Sequence, residues 1–99
     1  TPEPPPTHVA GAPSVHDLLV ERIGPGPLAD DVLARKEFGR GKYGTILQTN
    51  NGRDALNDAY QEILDAAVYL EQAVHEGHLD ACVLLDLGIF VAERLRVLR

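Results

Sequence analysis

The chain has 99 residues, 44% of them hydrophobic, and 15 acidic against 9 basic residues give it a formal net charge of −6. That length suits one domain with a small core, for which self-association is a common completion, and the negative charge argues against broad binding to nucleic acid or to an anionic membrane surface. No apolar run approaches the roughly 20 residues of a membrane span, no basic-then-apolar leader opens the sequence, and a single cysteine excludes an internal disulfide; the expectation is a soluble, cytoplasmic protein.

Residues 1–13 hold five of the seven prolines. They read as a flexible, proline-rich arm with polyproline II character, followed by a single all-α domain over residues 14–99. Ser14 is placed to cap a helix, with Asp17 three residues on as its partner. That helix carries Val15, Leu18, Leu19 and Ile23 and ends at Gly24, before the break Pro25-Gly26-Pro27. A second helix is predicted from Pro27 or Leu28 to about Phe38, with Leu28, Val32 and Leu33 apolar. Asp30 and Asp31 fall in its first turn, where they complement the helix dipole. Gly39 and Gly41 are expected to end it.

Residues 39–52 read GRGKYGTILQTNNG, with four glycines and two asparagines. Tyr43, Ile46 and Leu47 are anchors that suit an ordered loop. Arg35, Lys36, Arg40, Lys42 and Arg53, five of the nine basic residues, cluster around it. A basic, glycine-rich loop feeding a helix N-terminus is a candidate anion receptor, with Lys42 and Arg53 as phosphate contacts.

A long helix is predicted over about 53–76, with Gly77 as its C-terminal cap. A second follows over about 79–97, and the two should form an antiparallel hairpin. Arg94, Arg96 and Arg99 sit at the dipole-favoured end of the last helix. Cys82 reads as a buried small hydrophobe. Val83, Leu84, Leu85, Leu87, Ile89, Phe90 and Val91 cannot all face one neighbour, so this helix is expected at the interface of a homo-oligomer. The fold class is all-α, a small helical bundle completed by oligomerisation.

The long helix carries the densest set of acids. Asp54, Asp58, Glu62 and Asp65 are spaced by four, four and three, which at roughly 100° per residue confines them to an arc of about 80°. Leu56, Ala59, Ile63, Ala66, Ala67, Leu70 and Val74 form the opposite, core-facing stripe. Two readings follow: a solvated helix face, or a carboxylate set for Mg²⁺ or Mn²⁺, hard cations that take oxygen ligands. Tyr69 falls on the acid side and would border such a site. The four histidines lack zinc-ligand spacing, and the lone serine reads as a cap rather than a nucleophile.

The string KYGTILQTNNGRDALNDAYQEILDAAVYL, residues 42–70, resembles small phage and actinobacterial proteins related to the all-α MazG-like nucleotide pyrophosphohydrolases. The pieces that carry the likeness are Lys42-Tyr43-Gly44-Thr45, Asn51-Gly52-Arg53-Asp54 and the pair Glu62-x-x-Asp65 before Val68-Tyr69-Leu70. In that family an E-x-x-D pair faces an E-E-x-x-E set on the preceding helix, and the two bind Mg²⁺. Here the preceding helix holds Asp30, Asp31 and Glu37 instead. The resemblance implies hydrolysis of a (deoxy)nucleoside triphosphate to the monophosphate and pyrophosphate. Glu62 and Asp65 would be catalytic and metal-binding, Asp58 and Asp54 further metal ligands, and Tyr43 or Tyr69 would stack on the base. The alternative is a non-catalytic helical module of phage or bacterial origin that binds a nucleotide or a protein partner.

Overall fold

The structure, a computed structural model, describes residues 7–99; the first six residues of the expected arm lie outside the described residues. It is all-α: α1 (Val15–Ile23), α2 (Pro27–Tyr43), α3 (Ala55–His75) and α4 (Ala81–Leu98), with no strand among the described residues. The chain divides between Arg53 and Asp54 into two compact units. In the first, α1 packs on α2; in the second, α3 packs on α4. Among the described residues no helix is long and apolar enough to cross a membrane.

In the first unit, α1 begins where the sequence places it. Ser14 is fully buried, and its Oγ accepts the Asp17 N–H at 3.0 Å. The Val15 N–H, another donor that a helix start leaves unpaired, reaches the Leu47 carbonyl at 2.7 Å. Gly24, at φ 79°, ends the helix. Pro27 then opens α2 from the first helical position, where its missing N–H is no loss. The inner side of α2 is Ala29, Val32, Lys36 and Gly39, narrower and more polar than the apolar residues alone suggest. The Lys36 ammonium sits 3.1 Å from both carboxylate oxygens of Asp17 on α1.

α2 does not stop at Gly39 and Gly41. It runs on to Tyr43 and closes at Gly44, which takes the left-handed φ of 77° and donates its N–H to the Arg40 carbonyl at 2.8 Å. Each interior glycine costs about 1 kcal/mol relative to alanine. Against that stand good helix formers on either side and Arg40 and Lys42 in the last turn, where cations suit the dipole. A glycine ends a helix where the backbone turns left-handed, and here only the third of the three does so.

The inner end of the expected arm is held. Gln48 is 3% exposed; its side chain bonds to the backbone of Val9 and Ala12. The Thr7 N–H donates to the Asn51 carbonyl at 2.7 Å. The loop after α2 is therefore ordered, and it clasps residues 7–12.

In the second unit, α3 starts from Asp54, whose carboxylate accepts the Asn57 N–H at 3.0 Å. The chain turns out of α3 through a paired 6→1 and 5→2 motif: the His78 N–H reaches the Ala73 carbonyl at 2.9 Å and the Gly77 N–H reaches that of Val74 at 3.1 Å. Gly77, at φ 99°, supplies the conformation this needs. The seam sets Tyr60, Ile63, Ala67, Leu70 and Val74 of α3 against Ala81, Leu85, Gly88, Ala92 and Leu95 of α4, in alternating steps of three and four. A Cβ on Gly88 would lie 3.9 Å from the Leu70 Cδ1. Arg99 ties the end of α4 to the start of α3, donating to the Asn57 Oδ1 at 3.0 Å with its guanidinium 4.2 Å from the Tyr60 ring centroid.

Cys82 is exposed, not buried. It lies about 100° round the helix from Ala81 and so off the seam. The buried hydrophobic side chains among the described residues are those of two alanines, Ala29 and Ala81.

Candidate functional site

The amphipathic pattern of α3 presents Asp58, Glu62 and Asp65 on the side turned from α4. Glu62 and Asp65 are exposed and Asp58 is half-buried. Among the described residues neither Glu62 nor Asp65 forms an ion pair with a basic side chain. Carboxylates three and four apart on a helix repel by a few tenths of a kcal/mol per pair. Oxygen donors of this kind suit a hard divalent cation. One straight helix offers them from one side only, and among the described residues no three His, Cys, Asp or Glu side chains gather as a metal-binding group. The donor chemistry fits Mg²⁺ or Mn²⁺; closing a coordination sphere takes water, a phosphate or carboxylates from elsewhere.

Asp54, at one end of the aligned acids, caps the helix through the Asn57 N–H. Tyr69 follows Asp65 by one helical turn, on the same side, and its ring is largely exposed. Its neighbours on that face are the acids, which fits a tyrosine bordering a site rather than one packed in a core.

Lys42, Tyr43 and Arg53 belong to the first unit. Lys42 and Tyr43 form the last turn of α2, with the Lys42 ammonium 5.2 Å from the Tyr43 ring centroid. The expected phosphate loop is therefore helical over residues 39–43, and Lys42 stands at the negative end of a helix dipole, not at a phosphate-binding N-terminus. Arg53 closes a tight turn in which its N–H reaches the Asn51 Oδ1 at 3.1 Å, Asn50 has φ 53° and Gly52 has φ 86°.

The polar residues that organise this loop are ones the sequence pattern passes over. Gln48 and Asn51 are buried at 3% and 7% exposure, and their amides are bonded to backbone. Thr45 Oγ1 lies 2.9 Å from His8 Nδ1. The one signal in the sequence is the Asn51-Gly52 pair, a turn former. Set against family models, curated proteins and solved structures, the chain finds no match in any of the three.

Proposed function

We propose that this protein is a metal-dependent hydrolase of (deoxy)nucleoside triphosphates, releasing the monophosphate and pyrophosphate, and that its metal face is the acidic side of α3. The observation that supports this reading is the presentation of Glu62 and Asp65, exposed and, among the described residues, outside any ion pair, on a helix whose opposite side is held by α4. In this reading Glu62 and Asp65 bind Mg²⁺ or Mn²⁺ with Asp58 assisting. A bound cation neutralises phosphate charge and acidifies water. A second copy of the chain supplies further donors, and Tyr69 borders the base.

The test is a thermal-shift titration with Mg²⁺ or Mn²⁺, alone and with deoxynucleoside triphosphates, joined to a pyrophosphatase-coupled phosphate assay. Metal at a hundredfold excess over Kd stabilises by about 2.7 kcal/mol; Glu62→Gln and Asp65→Asn should remove that shift and any phosphate release. Wild type without a shift in either titration would overturn the hydrolase reading.

A second reading, a non-catalytic helical module that binds a nucleotide or a protein partner, has its own supporting observation. The glycine-rich segment is helical through Tyr43, and the Asp54 carboxylate is engaged as a cap. Metal-dependent nucleotide binding without phosphate release would favour that module.

A further inference from the structure

The side of α4 turned away from α3 is apolar. At roughly 100° per residue, Val83, Leu84, Leu87, Phe90, Val91, Val97 and Leu98 fall within an arc of about 140°. All seven are exposed, from 41% at Val91 to 76% at Val97, and none belongs to the seam. Arg94 is the one charged residue within the arc, with Asp86 and Glu93 on its border about 20° and 40° beyond Val97; the Arg94 guanidinium lies 5.9 Å from the Phe90 ring centroid. There it rests on an aromatic face, where a cation is tolerated at low cost. At roughly 100 Å² of exposed surface per side chain, the seven residues offer about 700 Å². That is about what each partner contributes to a standard stable interface, and it exceeds the largest patch of an ordinary monomer, about 600 Å² at most.

The charges along α4 say what fits there. Asp80 and Asp86 lie toward its N-terminal end; Arg94, Arg96 and Arg99 lie toward its C-terminal end, where the one acid, Glu93, is already paired with Arg96 at 3.5 Å. A second α4 laid parallel would set acid against acid and arginine against arginine. Laid antiparallel about a two-fold axis, the acidic end of each copy meets the basic end of the other, and the helix dipoles oppose as well. With the axis near Phe90, residues whose numbers sum to about 180 face each other. Asp86 then faces Arg94 of the second copy, and Val83 faces Val97.

We propose that α4 is the interface of an antiparallel, two-fold assembly of this chain, with Asp86 and Arg94 paired across it. The pairing rests on the self-association within the reading above and not on its metal chemistry, so molecular mass reads it independently of hydrolysis. The experiment is size-exclusion chromatography with light scattering from about 1 to 100 μM, in the range where such interfaces dissociate. Wild type should run at twice 10.8 kDa or an even multiple of it. Leu87→Lys and Val97→Lys should each give the single-chain mass with an unchanged helical circular dichroism spectrum, because both side chains lie off the α3 seam. Asp86→Arg and Arg94→Asp should each weaken association about tenfold or more, and the double exchange should return it to within about threefold of wild type. A wild-type monomer throughout the range would overturn the assembly. So would a folded Leu87→Lys variant that keeps the wild-type mass. A double exchange no tighter than the single variants would overturn the antiparallel pairing.

Discussion

The Gln48 side chain grips the backbone of Val9 on both of its polar groups: Oε1 accepts the Val9 N–H and Nε2 donates to the Val9 carbonyl, each at 2.8 Å. The same Nε2 reaches the Ala12 carbonyl at 3.0 Å. A glutamine thus does for an irregular segment what a neighbouring strand does in a sheet. Gln48→Ala would strand part-buried backbone groups, at a cost of about 1–3 kcal/mol. Glutamate keeps the shape but, ionised, cannot donate to two carbonyls, and should lose nearly as much. Urea unfolding midpoints with amide exchange at Val9 provide the check; an alanine variant with wild-type stability and an unchanged Val9 rate would refute the clasp.

The course of α2 separates three closely spaced glycines. Gly39 and Gly41 are helical with nothing within 4 Å of an added Cβ, whereas Gly44 has φ +77°. Gly41→Ala should stabilise by roughly 0.5–1 kcal/mol, and Gly44→Ala should destabilise by a similar amount. If the helix stopped at Phe38, the alanine at position 41 would bring no gain. Thermal or urea unfolding of the two variants measures the difference.

Asp54 and Glu62 share a helix side, and the proposed metal face gives them different tasks. Asp54→Ala removes a cap and should lower stability by about 1 kcal/mol, while the metal-dependent shift persists. Glu62→Gln should move intrinsic stability by no more than about 0.5 kcal/mol and remove the metal response. Both variants giving the same pattern would show that the aligned acids are not divided in this way.

Asp17 gives the first unit a pH dependence. The Lys36 ammonium, then the Ser14 hydroxyl, hold its carboxyl below the ordinary value of 3.8. A folded pKa below the unfolded one contributes stability that is present above 3.8 and lost as pH falls through the lower folded value. The stability gap between wild type and Lys36→Met should therefore be constant near neutrality and close under acid. Urea midpoints for the pair from about pH 7 down to pH 2.5 test it; a gap that stays constant to the acid end would contradict the Lys36 contact.

Capping and periodicity made much of the fold legible. Ser14 with Asp17, Gly24 with Pro27, and Gly77 after the long helix act within a few residues of themselves, and each sits where local rules place it. The alignment of Asp58, Glu62 and Asp65 likewise follows from spacing. Other features depend on partners distant in sequence or on small energy differences. Gln48 reads as an ordinary loop residue until Val9, 39 positions away, is beside it. The glycines at 39 and 41 suggest a stop because their intrinsic penalty is visible in sequence, whereas the balance that carries the helix past them is not. α4 is apolar on several sides, so periodicity alone does not reveal that the small residues Ala81 and Gly88 mark its seam and leave Cys82 outside. Asp54 reads as a member of an acidic row; its place one residue before Ala55 is the signal for its capping role.

Each hairpin joins helices that are neighbours in the chain, and this has a kinetic consequence. The turn between α3 and α4 closes a short loop, so that pairing can form as soon as its residues exist, on the timescale of fast helical folding. The clasp of Gln48 on Val9 must close a span of 39 residues, and loop-closure entropy delays it. During synthesis residues 7–12 emerge early and wait for Gln48. We expect the clasp to be the last feature of its unit to form, and pulse-labelled hydrogen exchange should show protection at Val9 arriving after that of α1 and α2; simultaneous protection would show that the clasp forms with them.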